Sequence, residues 1–146
     1  MLFRSSAWPA GNFITIEQTT EIAPGIYAIA LVSDIPGTRE LRELSLAIRT
    51  PHGLILIVGC SHPGIERIVQ AAAALDAQLH VIFGGFHMPA APDAEVARVA
   101  TALHEQWKVK ELAPGHCTGE PAFAHFKRVW GLRYRHAGVG TVLELP

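Results

Sequence analysis

Residues 54–62 read LILIVGCSH, an apolar run that ends in a glycine turn carrying a histidine. The same arrangement returns as LHVIFGGFH over residues 79–87 and as VKELAPGH over residues 109–116. Short apolar runs bounded by turn residues are typical of buried strands. Because the carboxyl ends of parallel strands meet at one edge of a sheet, the repetition predicts that the three histidines lie close together.

Amphipathic helices are predicted after each of these turns. The first begins near Pro63 and ends near Asp76, the second runs from about Asp93 to Trp107, and the third runs from about Glu120 to Trp130. Strand and helix therefore alternate three times, which is typical of crossover units in a largely parallel sheet. The sequence predicts an α/β domain.

Strands are also expected on either side of this region. Ile26–Val32 and Leu44–Ile48 have strand composition, and a tight turn at residues 51–53 continues the second as a hairpin. The first 25 residues are rich in turn formers and predict an irregular beginning. Gly140–Leu145 is predicted to be the last strand.

Composition limits the classes of function. The 146 residues fit a single domain, 1–146, with 49% hydrophobic and 17% charged residues. A formal net charge of −1 offers no basic field for nucleic acid or an anionic membrane. No apolar stretch approaches the roughly 20 residues of a membrane span, and the N-terminus lacks the apolar centre of a secretory signal, so a cytoplasmic protein is expected.

The GCSHPG turn, residues 59–64, is a candidate metal site. It places the Cys60 thiol and the His62 imidazole two residues apart, and both are zinc ligands, at about 2.0–2.3 Å. The N-terminus of the following helix is expected to lower the pKa of the thiol. The alternative is that Ser61 or His62 caps that helix and Cys60 is a small buried hydrophobe.

The other two turns offer comparable chemistry. His87, in GGFH, is a candidate general acid, phosphate contact or metal ligand, with an exposed loop as the alternative. His116 is a candidate ligand, Cys117 is expected to point away into the core, and Thr118 is expected to cap the next helix. No direct chemical role is expected for the remaining histidines, which are His52, His80, His104, His125 and His136.

Competing enzyme motifs are absent from the sequence. There is no Gly-x-Ser-x-Gly elbow, no papain-like or caspase-like cysteine context and no Gly-x-x-x-x-Gly-Lys-Ser/Thr phosphate loop. The two cysteines lie beside the glycine turns, which favours ligand or thiol roles in a reducing compartment over a structural disulfide. Of the kinds of chemistry considered, metal binding explains the three turns best.

The strings GLILIVGCSHPGIERIV, HVIFGGFHM and LAPGHCTGEPAFAHFKRVWG, in that order, resemble the C-terminal half of metallo-β-lactamase-fold hydrolases. The resemblance covers about residues 43–140 and is strongest to the dihydropterin-ribofuranosylaminobenzene-phosphate synthase-like subgroup. It implies half of an αβ/βα sandwich, with a mixed sheet and three crossover helices.

The resemblance also implies roles for particular residues. Cys60 and His116 correspond to metal ligands of that family, and His62 is a neighbouring ligand candidate. His87 corresponds to a histidine near the leaving group or a proton donor. The implied cofactor is a divalent metal, with zinc first and iron or manganese as alternatives, and the implied substrate is a phosphorylated small molecule.

One family motif, His-x-His-x-Asp-His, is missing from the sequence. A site of two cations that activates water needs ligands from both halves of such a domain. Two hypotheses follow. In the first, the chain is part of a metal-dependent hydrolase cleaving a phosphoester or similar bond. In the second, it is a non-catalytic binding or assembly domain, and in either case it is expected to form a homodimer or to pair with a complementary N-terminal half.

Overall fold

Six strands form one sheet, joined and flanked by three helices. The computed structural model describes Gly11 and residues 13–144. The strands are β1 (Thr20–Ala23), β2 (Ile26–Val32), β3 (Arg42–Thr50), β4 (Gly53–Val58), β5 (Leu79–Gly85) and β6 (Glu111–Gly115). The helices are α1 (Ile65–Ala73), α2 (Asp93–Thr101) and α3 (Glu120–Trp130), and a π-helical turn, Ala102–Gln106, extends α2.

The sheet is mixed and follows the order of the chain. Strands β1 to β4 pair antiparallel, whereas β4, β5 and β6 are parallel. Each parallel connection contains a helix, α1 or α2, as crossovers in a parallel sheet require. The predicted α/β class and the mixed sheet are therefore confirmed, and the carboxyl ends of β4, β5 and β6 lie at one edge.

Individual elements match the sequence pattern to different degrees. The predictions of a strand at Ile26–Val32 and a helix at Glu120–Trp130 are confirmed at both ends. The prediction of a strand at Gly140–Leu145 is wrong for its described part, residues 140–144, which pairs with no strand. The free edge of β6 is instead met at Leu112 by Tyr134, so the apolar residues further along find no pairing partner.

The main core lies between the sheet and the helices. Leu54, Leu56 and Ile82 of the sheet pack with Ile68 of α1 and Phe126 of α3, and each is at most 1% exposed. Leu54, Leu56 and Ile82 lie on the same face of the sheet. Leu54 and Leu56 are two residues apart in β4, and Leu56 pairs directly with Ile82 across the β4–β5 ladder.

The opposite face of the sheet carries a second apolar surface, which we call the apolar row. It consists of five residues that pair in succession across five strands: Ala28, Leu46, Ile57, Phe83 and Ala113. Leu46 and Phe83 are 37% and 38% exposed, and Leu44, one step along β3, is 51% exposed. Both faces of the sheet are thus apolar, but the helices cover only one. None of the described helices is long and apolar enough to cross a membrane.

Candidate metal centre

The three glycine turns follow β4, β5 and β6 and meet at the predicted edge of the sheet. Each holds one non-glycine residue in the left-handed backbone region: Ser61 at φ 62°, His87 at φ 52° and His116 at φ 50°. That conformation costs a non-glycine residue roughly 1–2 kcal/mol. Backbone strain of this kind concentrates at functional sites, where surrounding structure holds it in place.

Cys60, His116 and Cys117 form one side-chain group, which we call the thiol cluster. The Sγ atom of Cys60 lies 3.1 Å from Nε2 of His116. One ligand atom from each of the three residues lies within 4.8 Å of those of the other two. The structure therefore brings together two predicted metal ligands, Cys60 and His116, from turns that are 56 residues apart.

A glycine at position 85 makes this close approach possible. A Cβ atom there would lie 2.8 Å from Sγ of Cys117, 2.8 Å from the carbonyl oxygen of Gly59 and 3.2 Å from Cδ2 of His116. The Gly85 amide also donates a hydrogen bond to that Gly59 carbonyl at 2.9 Å. The GGFH turn thus leaves room for the donors of the two neighbouring turns.

The donor set of the thiol cluster fits a divalent metal. Thiolate and imidazole are the ligands that zinc prefers, and iron also accepts them. Ligands at about 2.0–2.3 Å from a tetrahedral zinc ion lie about 3–4 Å from one another, close to the spacing found here. Zinc sites in proteins have four ligands as a rule, so these three donors would hold such an ion together with at least one further ligand.

Without a cation, the environment of Cys60 favours the neutral thiol. Burial raises the pKa of Cys60 above its ordinary value, and the neighbouring Cys117 and Glu43 raise it further. The expectation that a helix N-terminus lowers this pKa was wrong, because α1 begins only at Ile65. A bound cation would have to supply the stabilisation of the thiolate.

His62 and His87 form a second group, beside the first. Their rings lie 4.7 Å apart, edge to face, and both line a cleft of about 480 Å³ between the turns and the helices α1 and α2. Nδ1 of His62 lies 2.8 Å from Oε2 of Glu43. The structure therefore does not bring His62 or His87 into the thiol cluster, although His62 is only two residues from Cys60.

Sequence patterns missed or misassigned some residues of this edge. Cys117 contributes its thiol to the cluster, for which its position beside His116 was the available signal. Glu43 lies in β3 and has no motif that marks it. Thr118 does not cap α3, whose N-cap is Gly119; its hydroxyl donates to the Gly115 carbonyl at 2.8 Å. Neither Ser61 nor His62 caps α1 through its side chain.

Comparison with known proteins assigns the fold. The crystal structure of Tm1679, a metal-dependent hydrolase of the β-lactamase superfamily, superposes with a TM-score of 0.79 and 29% identity over 91% of this chain. The chain is a relative of the metallo-β-lactamase superfamily. No protein-family model matches it.

Two curated proteins of Methanocaldococcus jannaschii are similar to the chain, and the first of them supports the subgroup. One is 7,8-dihydropterin-6-methyl-4-(beta-D-ribofuranosyl)-aminobenzene-5'-phosphate synthase, 32% identical over 104 residues, or 70% of this chain. The other is an uncharacterised protein, 33% identical over 86 residues, or 58% of this chain. The metallo-β-lactamase-like chain spans 35% and 32% of these two relatives and 58% of Tm1679.

Proposed function

We propose that this chain supplies one part of the metal centre of a metal-dependent hydrolase that cleaves a phosphoester or similar bond. The observation that carries the proposal is the thiol cluster, in which donors from separate turns converge within 4.8 Å. The similarity to Tm1679, a metal-dependent hydrolase, supports the proposed class of reaction. One relative is a synthase whose name contains a 5'-phosphate group, which supports a phosphorylated small molecule as the class of substrate.

Cys60 and His116 are the proposed ligands of the first cation, with Cys117 as a third donor. His62 is the proposed ligand at a neighbouring position, which it reaches through Nε2. Zinc is the expected metal, with iron or manganese as alternatives. When bound, such a cation supplies Lewis-acid stabilisation of the charge that develops at the scissile bond.

His87 is the proposed proton donor to the leaving group. Its side chain is exposed in the cleft that His62 also lines, and its left-handed backbone holds it at the end of β5. Imidazole is a common proton donor in catalysis near neutral pH.

The remaining ligands are proposed to come from the part of the fold that this chain does not cover. The chain spans 58% of Tm1679, and its sequence contains no His-x-His-x-Asp-His string. Val58 and Phe83 border the same cavity as Cys60 and His116, and Phe83 belongs to the apolar row. A complementary half that covers this row would therefore reach the edge of the thiol cluster. The proposed compartment is the cytoplasm, where the thiols stay reduced.

Cobalt(II) titration of the purified chain tests the metal centre. We expect thiolate-to-cobalt charge-transfer absorption in the wild type, a weaker band in Cys60→Ser and in His116→Ala, and no band in the double variant Cys60→Ser/Cys117→Ser. His52→Ala is the matched control, because His52 lies in the β3–β4 turn, away from the cluster. Absence of the band in the wild type, or a band of unchanged intensity in Cys60→Ser, would overturn the proposal.

The second candidate function is a non-catalytic assembly domain, and the exposed apolar row is the observation that favours it. Leu44, Leu46 and Phe83 together leave a hydrophobic face that soluble monomers seldom present. In this case the face would still pair with a complementary half, but the chain would bind no metal. The cobalt titration distinguishes the two candidates.

A further inference from the structure

The carboxylate of Glu43 is largely buried at the edge of the sheet where the glycine turns meet. It lies in β3, and only 11% of its side chain is exposed. Its sole ionic contact among the residues that the structure describes is the His62 imidazole. A carboxylate so placed loses most of its hydration and must be compensated by hydrogen bonds.

Three N–H groups of the GCSHPG turn provide that compensation. The Ser61 amide donates to Oε1 at 2.6 Å, and the His62 amide donates to Oε2 at 2.9 Å. Nδ1 of His62 lies 2.8 Å from the same Oε2. Glu43 thus contacts the backbone of Ser61, which has a positive φ, and both the backbone and the ring of His62.

This geometry determines which nitrogen of His62 carries the proton. An ionised carboxylate can only accept hydrogen bonds, so Nδ1 must be the donor. In the neutral imidazole the proton is then on Nδ1, and Nε2 keeps its lone pair. The carbonyl of His62 is held as well, because Oγ of Ser33 donates to it at 2.8 Å, so the residue is fixed from both sides.

We propose that Glu43 is the positioning residue of this site: its carboxylate fixes His62 as the Nδ1-protonated tautomer, so that Nε2 is presented as a ligand atom for a divalent cation. A metal-binding histidine commonly donates its other ring N–H to a carboxylate, which orients the ring and makes the ligating nitrogen more basic. The identity of the ligand atom rests on the proposed function, but the tautomer does not.

Glu43→Gln is the informative substitution, because an amide has one acceptor oxygen where a carboxylate has two. If the amide oxygen faces the Ser61 amide, the NH₂ group opposes the His62 backbone N–H and also requires Nδ1 without a proton. If it faces His62, the NH₂ group opposes the Ser61 N–H. Glu95→Gln is the matched control, since Glu95 borders the same cleft as His62.

Histidine ring ¹⁵N NMR at about pH 9, well above the ordinary imidazole pKa of about 6.5, measures the tautomer directly. We expect the Nδ1–H form of His62 to predominate in the wild type and in Glu95→Gln, and its population to fall in Glu43→Gln, because an amide oxygen accepts a hydrogen bond less strongly than a carboxylate. Predominance of the Nε2–H form in the wild type would overturn the proposal without any variant, so a misfolded Glu43→Gln chain does not remove the test.

Zinc chloride titration in the same spectra tests the ligand atom. We expect zinc to shift the Nε2 resonance of His62, and Glu43→Gln to raise the midpoint of that shift about 10–100-fold. No shift of Nε2 would overturn the ligand role of His62, and an unchanged midpoint would overturn the role of Glu43 in positioning that ligand. Absence of the cobalt–thiolate band in the wild type, with the Nδ1–H tautomer retained, would instead reject the proposed function and leave the role of Glu43 in setting the tautomer standing.

Discussion

The amide of Phe86 donates a hydrogen bond to Oγ1 of Thr118 at 3.1 Å, which joins the GGFH turn to the HCTG turn. Thr118 is fully buried and its hydroxyl also donates to the Gly115 carbonyl. Thr118→Val keeps the shape but leaves the buried Phe86 amide without its partner, while the Gly115 carbonyl keeps the hydrogen bond from the Thr118 amide. We therefore expect a loss of about 1–3 kcal/mol in the free energy of unfolding. Urea denaturation measures this. Thr118→Ser, which keeps the hydroxyl, should lose clearly less; equal losses would contradict the role of the hydrogen bonds.

Gly85→Ala should damage the thiol cluster more than the fold. The new Cβ would displace the thiol of Cys117 and the ring of His116, which are side chains that can move, and would also press at 2.8 Å on the Gly59 carbonyl oxygen. At Gly84, by contrast, a Cβ would lie 2.0 Å from the Val58 carbonyl oxygen at φ 130°. We expect Gly84→Ala to cost more than about 2 kcal/mol of unfolding free energy. For Gly85→Ala we expect weaker cobalt absorption with a smaller loss of stability, whereas Gly11→Ala, in open space, should change neither.

Phe126 connects α3 to the GGFH turn through its contact with Phe86. The ring centroids lie 5.5 Å apart, edge to face, and Phe126 is 0% exposed. Phe126→Ala leaves a cavity in the main core and should cost about 3–5 kcal/mol in urea denaturation. Phe126→Leu fills most of that volume and should cost less. A loss below about 1 kcal/mol for the alanine variant would mean that the core can collapse around the site.

The Glu111–Arg135 pair gives the stability a defined dependence on pH. Hydrogen bonds from Arg135, at 2.8 Å and 3.1 Å, lower the pKa of Glu111. A carboxyl whose folded pKa is lowered stabilises the fold above its unfolded pKa of about 4.3, and this contribution is lost as the pH falls through the folded value. Arg135→Gln should therefore destabilise the chain at neutral pH but not at low pH. In a double-mutant cycle with Glu111→Gln, the coupling should vanish on acidification; a coupling that persists would contradict the ionic account.

The apolar row should cause the isolated chain to associate. We expect a second copy to cover this face when the complementary half is absent, because Leu46 and Phe83 lie partly exposed on either side of Ile57 there. Leu46→Lys places a charge in the row and should shift the sedimentation profile to monomer. Leu132→Lys, at a residue that is 97% exposed and follows α3, is the control and should change nothing. A wild-type monomer at high concentration would contradict the prediction.

Local signals predicted much of the fold correctly. The limits of β2 and α3 could be read from the sequence because strand composition and an amphipathic helical period stop there at turn residues. Convergence of Cys60 and His116 followed from strand-end position alone. The prediction of a strand at Gly140–Leu145 was wrong for residues 140–144 because a strand at a sheet edge depends on a distant partner. Strand composition carries no information about that partner.

The orientation of β3 could not be predicted, and Glu43 was missed for the same reason. Leu44 and Leu46 alternate with Glu43, Ser45 and Ala47, so the pattern marks the leucines as the core face. In the structure Ser45 and Ala47 are buried on the helix side, and the leucines lie on the exposed face. An alternating strand shows that its two faces differ, but not which face the rest of the chain covers.

The left-handed residues of the three turns place stability and chemistry in opposition. Replacing Ser61, His87 or His116 with glycine would relieve backbone strain at that position. The change at Ser61 would also delete the hydroxyl that donates to the Gly85 carbonyl, and the changes at His87 and His116 would each delete a candidate functional imidazole. A library of this chain selected only for resistance to heat would therefore drift toward glycine at His87 and His116, whereas at Ser61 the loss of a buried hydrogen bond offsets the relief of strain. Enrichment of glycine under thermal selection, and its depletion under selection for metal uptake, would separate the residues kept for their chemistry from those kept for the fold.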